Sequence, residues 1–91
     1  MAHETRYVND IWWVEHMPTL HDGEGVRICV FRDHHPPHVH VYAGDGRAAK
    51  LDLRDGRLIV GNVRAKEYRY ALRWLLAHRE EAWTAWRTLN S

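Results

Sequence analysis

The stretch Asp33-His34-His35-Pro36-Pro37-His38-Val39-His40-Val41-Tyr42 constrains this chain more than any other. Two consecutive prolines fix φ, bar a helix and remove two backbone donors, so the approach from His34 to Pro37 must be extended or turning. Beyond them, polar and apolar residues alternate with the period of a half-buried strand. Val39 and Val41 then face a core, while His38, His40 and Tyr42 share the other, open face. The same stretch holds four of the eight histidines of the chain.

On either side the pattern is that of a small antiparallel sheet. Val26 to Phe31 reads as a strand with Val26, Ile28 and Val30 on one face and Arg27, Cys29 and Phe31 on the other. Gly44-Asp45-Gly46 supplies the residues of a tight hairpin that returns the chain through Ala48 to Leu53. Asp55-Gly56, between Leu53 and Leu58-Ile59-Val60, is a second hairpin signal. Asp22-Gly23-Glu24-Gly25 has turn composition, and Ile11-Trp12-Trp13-Val14 reads as a short strand or a flap over the core.

From about Arg64 to Leu89 the chain has neither Gly nor Pro. Asn62 is placed to cap a helix there. At 100° per residue, Ala65, Tyr68, Leu72, Leu75, Leu76, Ala82, Trp83 and Trp86 form one stripe, with Tyr70 and Trp74 nearly opposite it. The fold class expected is α+β: an antiparallel meander of four to five strands packed on one long C-terminal helix, which covers the Val39/Val41 face. Residues 1–16 read as an N-terminal extension, partly ordered, and residues 17–91 as a single domain.

Ninety-one residues support one modest core. With 13 basic and 12 acidic side chains the net charge is +1, so no strong field points to nucleic acid or membrane. A local basic patch still admits RNA. Cys29 is the only cysteine, which excludes an internal disulfide and suits a reducing compartment. Its apolar neighbours suggest a buried, inert thiol. No long apolar run spans a membrane and the first residues lack the apolar segment of a signal peptide, so the cytoplasm is the expected location.

Three chemistries suit the histidine stretch. His38 and His40 could chelate a metal from one strand face, with His34 or His35 folding back. Structural zinc usually takes four N or S donors, however, so the sequence assigns no metal ligands and no cofactor. Alternatively, strand pairing gathers Arg27, His38, His40, Tyr42, Lys50 and Asp52 on one face. His38, His40, Lys50 and Asp52 could then act as catalytic groups, and His35, Arg27 and Tyr42 could hold substrate. One imidazole would deprotonate a 2′-OH of RNA, the other would protonate the leaving oxygen, and a cation would hold the developing phosphorane charge without a metal. The third reading is that these polar side chains cover a solvated sheet face. Tyr70 and Trp74, apolar where the helix wheel expects water, either mark a surface for a partner protein or lie under the Trp12-Trp13 segment.

Three pieces in order resemble a family. They are Met17-Pro18-Thr19-Leu20 leading into Val26 to Phe31, then His35-Pro36-Pro37-His38-Val39-His40-Val41, then Ala77-His78-Arg79-Glu80-Glu81 followed by Ala85-Trp86. Together they resemble the short bacterial proteins of domain-of-unknown-function family 4160 (DUF4160). The resemblance implies a strand, a proline–histidine strand and a terminal helix. It also implies a setting: members are often encoded beside a second small protein and read as two-gene toxin–antitoxin modules. The partner it implies is that small cognate protein; RNA and a second copy of the chain stay open. No catalytic residues come with the family, and its motif carries onto His35, Pro36, Pro37, His38 and His40 only.

Overall fold

The computed structural model describes residues 19–90. The Ile11–Val14 run, Met17-Pro18 and the expected boundary at residue 16 fall outside that range. Five strands run in chain order across one antiparallel sheet: β1 (Thr19–Gly23), β2 (Val26–Cys29), β3 (His38–Ala43), β4 (Ala48–Asp52) and β5 (Leu58–Gly61). Two helices follow, α1 (Ala65–Ala77) and α2 (Arg79–Asn90). This is the α+β class expected, with β1 as a strand that the sequence pattern did not mark.

Side-chain parity builds the core. Ile28 lies opposite Val41, Val41 opposite Ala49, and Val39 opposite Leu51. These residues are buried together with Leu75, Ala82, Trp86 and Leu89 from the helices. Helix and sheet each cover the other's apolar side, which neither could do alone. Gly56 holds the β4–β5 turn at φ 79°, and a Cβ on it would collide with Leu72 of α1, so the turn sits directly against the helix.

The one long helix is a point where expectation and structure differ. Helical geometry is interrupted at His78 (φ −126°, ψ 35°), with no Gly or Pro involved. Its ring stacks on Trp74, centroids 4.3 Å apart, and His78 Nδ1 lies 2.8 Å from the Trp74 carbonyl oxygen, which the His78 N–H also reaches at 3.0 Å. A side chain competing for a ladder carbonyl is one of the few physical causes of a helix break. A single wheel also misplaces residues on both sides of the break. Leu76 is 53% exposed rather than on the buried stripe, while Ala71 and Leu89 are in the core.

The cap differs as well. Asn62 spends its N–H on the Ala48 carbonyl, extending the β4–β5 ladder. The α1 cap is Arg64, whose N–H donates to Glu67 Oε1 at 3.0 Å in a capping-box contact.

Candidate functional site

The segment between β2 and β3 is held by the far end of the chain. Arg32 Nε donates to the Leu89 carbonyl (3.1 Å), the Asp33 N–H donates to Asn90 Oδ1 (2.9 Å), and Asn90 Nδ2 donates to the carbonyls of Phe31 (3.3 Å) and Trp86 (3.0 Å). Thus the last turn of α2 clasps residues 31–33 and turns the Asp33 carboxylate toward β3. The His35–Pro36 peptide is cis, and the chain enters β3 at His38.

Asp33 Oδ2 then meets three cationic or imidazole nitrogens: His38 Nε2 at 3.1 Å, His40 Nε2 at 3.6 Å and Lys50 Nζ at 3.6 Å. Its other oxygen, Oδ1, accepts the His34 N–H at 2.8 Å. That backbone hydrogen bond, helped by His38 and Lys50 and opposed by partial burial, lowers the Asp33 pKa to about 2. The carboxylate is ionised throughout the physiological range.

His38 is 4% exposed, so the expectation of an open histidine surface fails at this position. Parity put it on the polar face correctly, but the 31–37 loop and Trp86, whose ring lies 5.3 Å from the imidazole, cover it. Both ring nitrogens are engaged, Nδ1 at 2.7 Å from the Pro36 carbonyl and Nε2 on Asp33. Each of these partners is a hydrogen-bond acceptor. His40, half-buried, lies edge-on to Phe31 (4.7 Å), and its Nε2 is buried without a hydrogen-bond partner. Burial is the main cause that lowers its pKa, reinforced by His38 and Lys50.

The strand register does bring His40 opposite Lys50, His38 opposite Asp52, and Arg27 opposite Tyr42. Asp52, however, is gripped by Arg54 through Oδ1 (3.0 Å) and Oδ2 (2.7 Å), which lowers its pKa and turns it away from the histidines. The carboxylate that the sequence reading assigned to Asp52 is supplied by Asp33 instead. Arg27 lies over the Tyr42 ring, 5.7 Å from its centroid. His35 is an exposed loop residue 5.9 Å from the Trp86 ring. A hollow of about 200 Å³ beside the cluster is lined by His40, Tyr42, Lys50, Val60 and Gly61. For acid–base work on RNA, both ring nitrogens of His38 are engaged within the fold, and His40 Nε2 is buried facing Asp33.

Tyr70 and Trp74 are half-buried, not free on an outer face. Tyr70 Oη is 2.9 Å from His21 Nε2, and the His21 ring packs 5.5 Å from Tyr70 and 5.7 Å from Trp74. Strand β1, which the sequence did not mark, thus covers part of that helix surface. Asp33 and Asn90 are the site residues that sequence reasoning missed. Asp33 adjoins the proline–histidine motif and that position was its only signal; Asn90 had none.

The family model of a domain of unknown function, DUF4160, matches residues 25–87. The chain belongs to the DUF4160 family. The match begins just before β2 and ends in the last turns of α2, so this family takes in the whole Asp33–His38–His40 cluster and most of the helix that clasps it. No curated protein and no solved structure matches the chain. No helix among the described residues is long and apolar enough to cross a membrane.

Proposed function

We propose that this DUF4160 chain is a protein-binding module that adds a strand of a small cognate partner to the outer edge of β5, as one component of a two-gene toxin–antitoxin pair. One observation carries the reading. Leu58, Ile59 and Val60 are 52%, 41% and 55% exposed, consecutive, and on the last strand of the sheet. A register shift between Lys50 and Leu51 places Leu58 opposite Leu51 of the core face and Val60 opposite Lys50 of the polar face. The strand is therefore apolar on both faces, the composition of an interior strand, yet it lies at an edge. Exposed apolar edges are aggregation hazards that soluble proteins blunt or cover, and strand addition is the common way of covering one.

Charge narrows the partner. Arg57 and Arg64 bracket the apolar run, both exposed, and Lys66 follows. A partner strand with apolar alternate residues and carboxylates at its ends fits that edge. The test is co-expression with the neighbouring small protein, followed by co-purification of the wild type and of an Ile59→Lys variant. Wild-type association with loss in the variant, at unchanged circular dichroism, supports the reading. Equal association of both overturns the β5 site.

A further inference from the structure

We propose that Asp33 Oδ2, His38 Nε2 and His40 Nε2 form a binding site for one divalent transition-metal ion of the zinc class, with a fourth coordination position left open. This site is separate from the β5 edge and does not depend on the strand-addition reading.

Four observations converge on it. First, the donor atoms are close enough: all lie within 4.8 Å of one another, with the Asp33 oxygen 3.1 Å and 3.6 Å from the two nitrogens. Ligands at about 2.1 Å from a tetrahedral ion stand about 3.4 Å apart, so two sides of the triangle already have the required length. Second, His40 Nε2 is buried and has no hydrogen-bond partner within 3.5 Å, a costly arrangement for a ring nitrogen that faces the Asp33 carboxylate at 3.6 Å. A metal ion would use the lone pair of that nitrogen.

Third, the supporting contacts are those of a ligand set. Nδ1 of His38 faces the Pro36 carbonyl at 2.7 Å, which fixes the ring so that Nε2 points inward. Metal-bound histidines almost always donate their other N–H to a carbonyl or carboxylate in this way. Asp33 is oriented by the His34 N–H on Oδ1, leaving Oδ2 for the ion. Fourth, the set is two imidazoles and one carboxylate, the composition of open catalytic zinc sites and of related sites for other divalent ions. Lys50 is a competing cation at Asp33, and its side chain is 36% exposed, so its ammonium can withdraw to solvent when an ion enters. On binding, each imidazole offers an unprotonated Nε2 to the ion, any proton there passing to solvent, with no change in oxidation state.

The test is titration of the untagged, full-length, metal-stripped chain with Zn²⁺ by calorimetry and with Co²⁺ by visible absorption. The expected result is one ion per chain, a raised melting temperature that EDTA reverses, and Co²⁺ bands of tetrahedral intensity. His40→Ala and Asp33→Asn should each weaken Zn²⁺ binding by at least about a hundredfold, beyond the 10–100-fold typical of losing a supporting contact. His78→Ala and His35→Ala should leave it unchanged. Circular dichroism of each variant separates ligand loss from unfolding, and Asp33→Asn, nearly isosteric, keeps the test valid where His40→Ala is unstable. Wild-type protein that binds no ion, or binds equally well in His40→Ala and Asp33→Asn when both are folded, overturns the proposal.

Discussion

The two ends of this sheet obey opposite rules. Around the start of β3, charged and polar groups are drawn inside and matched to one another: the Asp33 carboxylate sits among His38, His40 and Lys50, under a loop fastened by Asn90. At β5, three apolar side chains are exposed among the described residues. Burial of polar groups is costly without partners, and exposure of an apolar strand edge is a hazard without a cover. Each region departs from the ordinary division of polar outside and apolar inside. The first is complete within the described chain apart from one imidazole nitrogen. The second, on the strand-addition proposal, is completed by a partner strand. Function is best sought where the fold leaves such accounts open, and the β5 edge leaves the larger one.

The comparison can be broken most forcefully at the core that both regions share. Trp86 is 3% exposed and touches His38 from α2, so Trp86→Ala should cost roughly 3–5 kcal/mol by thermal or denaturant unfolding. A loss under about 1 kcal/mol would mean that α2 does not close over the sheet as described. Next in size is His38→Ala. A surface histidine would cost less than about 0.5 kcal/mol, but this one is buried with both nitrogens bonded, so its loss should cost about 2–3 kcal/mol. A neutral result would place His38 on the open face that alternation alone suggested.

Acid should then act on the Asp33 end and spare β5. The Asp33 pKa is lowered from 3.8 to about 2 on folding, so its stabilisation is complete above pH 3.8 and is lost as the pH falls toward 2. With the side chain 26% exposed, that contribution is on the order of 1 kcal/mol, and Asp33→Asn should remove most of this part of the pH dependence. His40, its pKa also lowered, adds the same sign at higher pH: the unfolded chain takes up the proton first, so stability declines as pH drops below 6.5. Smallest of all should be the stability effect of Leu58→Ser, under about 0.5 kcal/mol, because that side chain is already half in water.

Much of the fold was written in local pattern. Alternation at Val39 and Val41, the Gly44-Asp45-Gly46 hairpin and the Asp55-Gly56 turn sufficed for the central strands and for which face is core. The polar face followed from the same parity, which put His40 and Lys50 on one side; their direct pairing is a matter of register that only the structure gives. What remained hidden depends on contacts between distant parts of the chain. At the break, His78 stacks on Trp74 and its Nδ1 reaches the Trp74 carbonyl oxygen, contacts that no propensity marks. Strand β1 carries a register irregularity between Thr19 and His21 that spoils its alternation. The exchange of Asp52 for Asp33 turns on an Arg54 two residues away and on an Asn90 at the other end of the chain, neither of which spacing relative to the histidines could reveal.

The most direct test of the central claim is backbone amide hydrogen exchange across the sheet, measured on the chain alone and with the proposed partner, the small protein encoded beside it. The account predicts that the β5 amides pointing away from β4 exchange readily in the free chain and become strongly protected on binding, while those of β3, already interior to the sheet, change little. Protection that appears instead on the Tyr70/Trp74 surface of α1, with β5 exchanging as before, would contradict it.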